Sequence, residues 1–240
     1  MSVIPSLPSS SAGEHKIRDC LLVDPKAFDS RRVFAAYKRC FDFLLAITML
    51  MLLLPLWLLI AALVKADSRG SVLFVNRAVG QHGREFRLYK FRSMHPAKGS
   101  EKEMADITRN MLHGTPTTYV QGRPVYKTAF ADSARITRIG RFLRSTSLDE
   151  LPQLWNILRG DLSFVGPRPS LPGEVALYEE WQKQRLLVPQ GLTGLYQVTA
   201  RNLVPIDEMI RIDLDYIRRR SFWLDIKILC KTPFAMLSGL

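Results

Sequence analysis

Cysteine is scarce in this chain of 240 residues. Cys20, Cys40 and Cys230 lie far apart with no CxxC, which argues against a zinc site and a disulfide framework and fits reduced thiols in a cytoplasmic setting. Histidine is sparse too: His15, His82, His95 and His113 form no HExxH or other ligand spacing. There is no GxGxxG and no Walker sequence, so a nucleotide would have to be held by other means. No repeat of 20 to 50 residues is visible. Acidic side chains are in deficit, 22 against 34 Lys plus Arg, giving a formal charge of +12. Such an excess favours anionic partners: nucleic acid, anionic lipid or phosphorylated small molecules. A hydrophobic content of 47% excludes wholesale disorder. The length suffices for one domain with a real core.

Residues 1–30 have little to bury. SVIPSLPSSSAGEHK is rich in Ser and Pro and lacks the apolar run of a signal peptide, so this part reads as a disordered tail. From Phe43 to Val64 not one charge occurs. As a helix this run would measure about 33 Å, enough to cross a bilayer's hydrocarbon core. Pro55 lies near its middle, where it removes a backbone donor and bends the helix. Arg31, Arg32, Lys38 and Arg39 precede the run; Lys65, Arg69 and Arg77 follow it. Basic flanks favour the cytoplasmic side. A helix that enters and returns at Pro55 keeps both flanks there, so re-entry fits the charges better than spanning. The freed carbonyls would need polar partners.

Beyond the apolar run, VLFVN and EFRLYKF are short β-rich runs separated by Gly80 and Gly83, the pattern of a hairpin. Pro96 to about Arg123 is polar, and EKEMADITRNMLHG reads as a short surface helix without chemistry. ITRIGRFLR, LPQLWNIL, EVALYEEWQKQRLL and DEMIRIDLDYIRRR carry helical patterns. The closing stretch SFWLDIKILCKTPFAMLSGL suits a helix in the headgroup zone, and equally a helix packed on the core. The expected fold is thus α+β: a mostly helical domain with a small β-hairpin, anchored by an N-terminal, Pro-broken membrane helix. Residues 1–30 form the tail, 31–66 the membrane helix, and 67–240 the main domain with interfacial C-terminal helices.

Chemistry concentrates in STSLDELPQLWNILRGDLSFVGPRP, residues 145–169. Asp149 and Glu150 stand side by side in a basic chain. Ser147 and Glu150 have the spacing of a capping box, which would make the acids structural. Pro152 argues for a later helix start, leaving both acids in the turn at the helix mouth. Arg135, Arg138, Arg141 and Arg144 recur every third residue before the pair; Arg159 and Arg168 follow it. The stripe reads either as a solvated or lipid-facing basic face or as a phosphate clamp, since guanidinium matches phosphate bidentately. A carboxylate that attacks a phosphoryl group meets like charge, costing about 4 kcal/mol at 4 Å and an effective dielectric of 20. Arginines and a divalent cation would remove that barrier, and two carboxylate oxygens suit Mg2+. In GPRPSLPG, Pro167 and Pro169 hold Arg168 between them: an ordinary surface turn, or a guanidinium pre-set toward an anion.

The run TRIGRFLRSTSLDELPQLWNILRGDLSFVGPRP resembles the signature of the bacterial sugar transferases that initiate glycoconjugate assembly, the small monotopic phosphoglycosyl transferases. The likeness extends to DSRGSVLFVNRAVGQHGREFRLYKFRSM, GLTGLYQV and LDYIRRRSFWLDIKIL, roughly residues 33–233. It implies a re-entrant membrane helix, a catalytic domain on the cytoplasmic face of the bacterial inner membrane, and a ping-pong reaction with Mg2+. By position, Asp149 resembles the nucleophile that attacks a UDP-sugar and releases UMP, and a polyprenyl phosphate such as undecaprenyl phosphate would then displace it. Glu150 resembles the second acid, a magnesium ligand or proton acceptor. Arg168 matches an anion-binding position, Lys90 and Arg92 resemble active-site cations, and Arg141 and Arg144 join them as phosphate-binding candidates. Pro55 matches the helix-breaking proline. The family often has Ser before that proline; here it is Leu54. The implied partners are the UDP-sugar, polyprenyl phosphate and inner-membrane lipid, without nucleic acid; homo-oligomerisation and the identity of the sugar stay open. Two other readings compete: a membrane-anchored basic module that recruits nucleic acid or anionic lipid, and a phosphohydrolase that uses aspartyl chemistry with water as acceptor.

Overall fold

The computed structural model describes residues 32–95, 109, 114–116, 118–120, 123–126 and 135–237. The expected tail over residues 1–30 and most of the polar insert, including its expected surface helix, lie outside them. The first element is helix α1 (Arg32–Asp67) of 36 residues, with Pro55 inside it. Helical conformation continues through Pro55, so any bend there is absorbed within a continuous helix and not by an interruption of it. Its outward side chains are apolar: Met51, Leu52, Leu54, Leu58 and Leu59 are all more than half exposed. A contiguous apolar face of this size belongs against lipid or protein. By length and composition α1 could cross a membrane.

The inward side of α1 packs along the rest of the molecule. Ala46 joins the main core with Ile157, Ile210, Leu214 and Ile217. Ile60 and Val64 form a second core with Phe91 and Leu143, where the Trp57 ring lies 5.0 Å from that of Phe91. Polar bonds tie down both ends. Near the N-terminus, Lys38 Nζ pairs with Asp225 at 2.6 Å, and Arg39 donates to the carbonyls of Ile157 and Leu158, each at 2.6 Å. Asp42 Oδ1 accepts from the Phe164 N–H. At the C-terminus, Asp67 Oδ2 accepts from the Ile139 N–H at 3.0 Å. Residues about 25 positions apart on one helix therefore grip the same body.

The expected hairpin forms from β1 (Leu73–Val79) and β2 (Glu85–Phe91), antiparallel, with Phe74 opposite Lys90. Two further strands, β3 (Thr118–Val120) and β4 (Arg123–Val125), make a second small antiparallel pair. Then come α2 (Arg138–Ser145), a 3-10 turn over Leu148–Glu150, and α3 (Gln153–Arg159). Strand β5 (Ser163–Val165) pairs in parallel with β6 (Gly191–Thr193); the sequence reading did not anticipate this pair, because three-residue strands carry almost no periodicity. Between them, EVALYEEWQKQRLL is not one helix. It divides into α4 (Pro172–Val175), α5 (Glu180–Lys183) and a 3-10 turn over Gln184–Leu187. The break buries Tyr178 and Trp181 and lets Glu179 start a fresh capping box, so tertiary burial overrides helical propensity. Helix α6 (Leu195–Thr199) precedes α7 (Ile206–Arg219) and α8 (Phe222–Leu237). On α8, Ile228 and Asp225 are buried while Trp223 and Phe234 are more than 70% exposed, so core packing and an outward aromatic face coexist on one helix.

Candidate active site

The acids sit in the turn and not in a helix. Ser147 adopts a left-handed conformation with φ +56° and makes no side-chain cap bond, so the capping-box alternative is not what forms. A non-glycine residue there is strained, and such strain persists where surrounding structure imposes it. Pro152 stands at the mouth of α3, which places Asp149 and Glu150 on the short 3-10 turn just before it. Freed from capping, the Glu150 Oε1 accepts from Lys90 Nζ at 2.7 Å.

That contact depends on the register between α3 and β2. The buried Asn156 sets it: its Nδ2 donates to the Arg87 carbonyl at 2.7 Å, and its Oδ1 accepts from the Tyr89 N–H at 3.1 Å. The side-chain amide thus acts as one more rung on the strand edge and brings Lys90 opposite the turn. Sequence reasoning passed over Asn156 because one Asn within an apolar helix is usually unremarkable. On the other flank, α2 lies so close to the chain after β2 that a Cβ at Gly140 would fall 2.1 Å from the Ser93 carbonyl oxygen. Only glycine permits that approach, which aims Arg144 inward. Arg144 donates to Met94 Sδ at 3.2 Å.

The Arg168 loop is held from behind. Gly166 N–H donates to the Thr193 carbonyl, Gly191 N–H to the Pro167 carbonyl, and Val79 N–H to the Ser170 carbonyl. Below it lies Arg185, only 1% exposed. Its guanidinium donates to the Arg168 carbonyl at 2.9 Å, Ser170 Oγ at 2.5 Å, Tyr178 OH at 2.9 Å and Asp213 Oδ2 at 2.7 Å. No motif in the sequence singled out Arg185 or Asp213, since 28 positions separate them. The Arg168 side chain is exposed and lines a cavity together with Lys90, Glu150, Gln153 and Gln197.

Electrostatics separates the two acids. Burial pushes the Asp149 carboxyl up, the neighbouring Glu150 charge pushes it further, and Lys90 and Arg144 oppose both; it reaches about 6. Burial also pushes Glu150 up, but Lys90 and Arg168 outweigh that, assisted by Arg201, and hold it below the usual glutamate value. Arg201, fixed by a bond to the Ala235 carbonyl at 2.7 Å, is a cation the sequence reading missed. Near neutral pH, then, one acid is firmly ionised and its neighbour titrates close by.

Of the sequence candidates, the structure brings together Asp149, Glu150, Lys90, Arg144 and Arg168. Arg92 takes another position: it is buried, and its Nη2 donates to the Ser68 carbonyl and hydroxyl, stapling the hairpin to the end of α1. Arg141 is exposed on α2 beside the exposed Phe142. Pro55 lies within α1. Among the described residues no group of three or more His, Cys, Asp or Glu forms a metal cluster. The adjacent carboxylates nevertheless have a suitable donor set for Mg2+, which usually takes one or two protein carboxylates and completes its shell with phosphate oxygens and water.

A helix long and apolar enough to cross a membrane packs on a body whose surface holds two acids among cations, an arrangement suited to phosphoryl chemistry beside a membrane. The chain belongs to the bacterial sugar transferase family, whose model matches residues 33–239, and it is an enzyme of the phosphoglycosyl transferase kind. It is 39% identical to an exopolysaccharide production protein ExoY of Sinorhizobium fredii over 81% of this chain and 83% of that protein. It is 37% identical to the undecaprenyl-phosphate galactose phosphotransferase of Salmonella typhimurium over 83% of this chain but 40% of that protein. It is 39% identical to the undecaprenyl-phosphate glucose phosphotransferase of Komagataeibacter xylinus over 81% of this chain and 35% of that protein. The chain therefore spans most of the ExoY protein and less than half of the two larger relatives.

Proposed function

We propose that this protein transfers a sugar 1-phosphate from a UDP-sugar to a polyprenyl phosphate, undecaprenyl phosphate in a bacterium, and releases UMP. The observation that carries this reading is the turn in which Asp149 stands beside Glu150, with Lys90, Arg144 and Arg168 arranged around them. An Asp149 oxygen attacks the β-phosphorus of the donor, and the bond from that phosphorus to the bridging oxygen breaks. UMP leaves with the electron pair, and a phosphoglycosyl ester of Asp149 remains. A phosphate oxygen of the lipid then attacks the same phosphorus, the bond to Asp149 breaks, and the product is a polyprenyl diphosphate sugar. Asp149 and Glu150 would hold Mg2+, which supplies positive charge to the phosphate oxygens. Lys90 keeps Glu150 ionised and in place, while Arg168 and Arg144 counter the charge of the phosphates. The relatives' names, galactose and glucose phosphotransferases acting on undecaprenyl phosphate, support the lipid acceptor.

The double grip on α1 supports a particular membrane arrangement. Lys38, Arg39 and Asp42 at one end and Asp67 at the other all bond to the catalytic body. A body that carries a charged site cannot reach both faces of a hydrocarbon core about 30 Å thick. That supports a re-entrant reading, in which both ends of α1 lie on one side and the apolar middle dips into the near leaflet, and the basic flanks favour the cytoplasmic face of the inner membrane for the site. The reaction is the first membrane step of exopolysaccharide or related glycoconjugate assembly.

The test is a UMP-release screen across UDP-sugars with purified protein, Mg2+ and undecaprenyl phosphate. Asp149→Asn should lose release by at least about 10³-fold, and wild type with donor alone should yield an adduct at Asp149. Wild-type turnover by the Asn variant would defeat the scheme. Free sugar phosphate as the product without lipid would favour the phosphohydrolase instead.

A further inference from the structure

The 3-10 turn that carries the acids has a second edge, which the phosphoryl chemistry leaves unused. In such a turn residues three apart eclipse one another, and here the Leu151 N–H closes onto the Leu148 carbonyl at 3.2 Å. Leu148 and Leu151 therefore form one apolar edge, while Asp149 and Glu150 fall on the others. Both leucines pack against the core that Ile60 and Val64 of α1 make with Phe91 and Leu143; Leu151 also reaches the main core. Leu56 and Trp57, directly after Pro55, pack against the same small core. The acid turn is thus seated beside the stretch of α1 that follows its proline.

Little else fixes where the turn lies. The Glu150 and Leu151 N–H groups donate to the Ser147 and Leu148 carbonyls, three positions back. Bonds of that kind set the shape of a turn but not its place in the molecule. Among the described residues the turn's one long-range hydrogen bond is from Lys90, and it holds Glu150, not Asp149. Past Leu151 a groove of about 330 Å³ opens, lined by Leu50 and Trp57 of α1 and by Pro152 and Trp155 of α3, so α1 does not fill the space against the chain there. Ser147, at φ +56°, turns the chain out of α2 in a strained conformation that persists only where the surroundings impose it, and Leu148 is the next residue. Ile60 is 3% exposed and Leu143 1%. A seat packed that tightly passes a shift on to its neighbours instead of absorbing it.

We propose that Ile60 of α1, together with Leu148 and Leu151, are positioning residues for Asp149: the stretch of the apolar helix after Pro55 sets where the attacking carboxylate stands, so α1 is part of the catalytic framework as well as an anchor. The assignment rests on the proposed transfer reaction. None of the three side chains has a group that could touch the phosphates usefully; each acts through the place it gives the turn. Misplacement of a reacting group by about 1 Å can cost on the order of 10²-fold in rate.

The experiment reads the first half of the reaction alone: one turnover of UMP release in detergent micelles with Mg2+, the UDP-sugar that the release screen selects and no lipid acceptor. Neither acceptor binding nor bilayer contact then enters. Ile60→Ala and Leu148→Ala should each lower the maximal rate per folded molecule by about 10- to 100-fold, while the half-saturating donor concentration moves by less than about 3-fold. The double variant should lose little more than either single one, because both open the same contact. The acid limb of the rate should move down in pH, since burial is the largest cause that raises Asp149 to about 6 and a loosened turn admits water. Ile60→Val, which keeps most of the contact, should stay within about 3-fold of wild type. Two controls bracket these variants. Leu59→Ala, on the outward face of α1 and 56% exposed, should leave the rate unchanged. Ile228→Ala, as buried as Ile60 but on α8, should cost stability and leave the rate per folded molecule unchanged. If Ile60→Ala fails to fold, Leu148→Ala gives the same readings from the other side of the contact. A wild-type rate in the alanine variants, or a loss no larger than that of Ile228→Ala, would overturn the assignment. So would donor affinity weakening in step with the rate, or an acid limb that stays in place. In each case UMP release by wild type leaves the transfer reaction standing; no release from any UDP-sugar by wild type would remove both.

Discussion

Two buried ion pairs in this protein invite comparison, because they use similar chemistry in different ways. Arg185 and Asp213 lie behind the Arg168 loop, with side chains 1% and 2% exposed. Lys38 and Asp225 lie near the start of α1, at 10% and 7%. The arginine spreads its planar fork over four partners and so fixes the path of a loop. The lysine is a point charge with one partner, and Asp225 has a second support in Tyr216 OH at 2.8 Å. A fork that fixes several atoms suits positioning; a single tether suits docking. The lysine pair works with Arg39, Asp42 and the Phe41–Phe222 contact, so α1 is held by several modest bonds where the Arg168 loop depends on one hub.

Loss of the hub should have the largest effect. Arg185→Met leaves Asp213 buried without its charge partner and should cost about 3–5 kcal/mol in urea unfolding. In folded protein it should also weaken donor use through Arg168, with little further loss when Arg168→Ala is already present. An equal loss in both backgrounds would mean that Arg185 serves only general stability.

Lys38→Met should cost less, about 1–3 kcal/mol, since Tyr216 still bonds Asp225. Its mark should be faster hydrogen exchange where α1 meets α8, with kcat on soluble donor nearly unchanged. A kcat loss as large as that of Arg185→Met would erase the contrast between the two pairs.

The pH profile probes the site side alone. On the proposed reaction the Asp149 carboxyl, pushed up to about 6, must be ionised to attack. Release of UMP should therefore fall as pH drops through about 6, while Lys38→Met leaves that limb in place. The sign for stability is opposite: the folded state holds the Asp149 proton more tightly than the unfolded chain. Ionisation then costs stability above about pH 6, and the cost disappears below the ordinary aspartate value. Asp149→Asn should raise Tm by about 2 °C at pH 8 and by less at pH 5. The smallest effect belongs to Gly160, which ends α3 at φ +86° against the Arg39 guanidinium. Gly160→Ala should cost about 1 kcal/mol and leave activity per folded molecule unchanged.

Much of this molecule was legible before folding. The uncharged run from Phe43 to Val64 announces α1, because charge in hydrocarbon is costly and its absence over such a length is informative. The hairpin is visible through β-rich runs around glycines, and Pro152 places the acids in a turn. The candidate site was legible where its parts are adjacent in the chain: Asp149 with Glu150, Arg144 before them, Arg168 between prolines. The bonds of Arg92 to the Ser68 carbonyl and hydroxyl were not legible, since a place in a basic motif says nothing of them.

By itself the sequence determined the local matters: an apolar helix with basic flanks, a cation-rich turn with two acids, and membership of a family. Those follow from short-range chemistry, where residue type and spacing suffice. Tertiary structure alone decided that Asn156 sets the register that delivers Lys90, that Arg185 and Asp213 hold the Arg168 loop, and that Gln153 and Gln197 share a cavity. Each of these joins residues far apart in the chain or on different elements, and such contacts exist only once packing has excluded water and made every buried polar group find a partner.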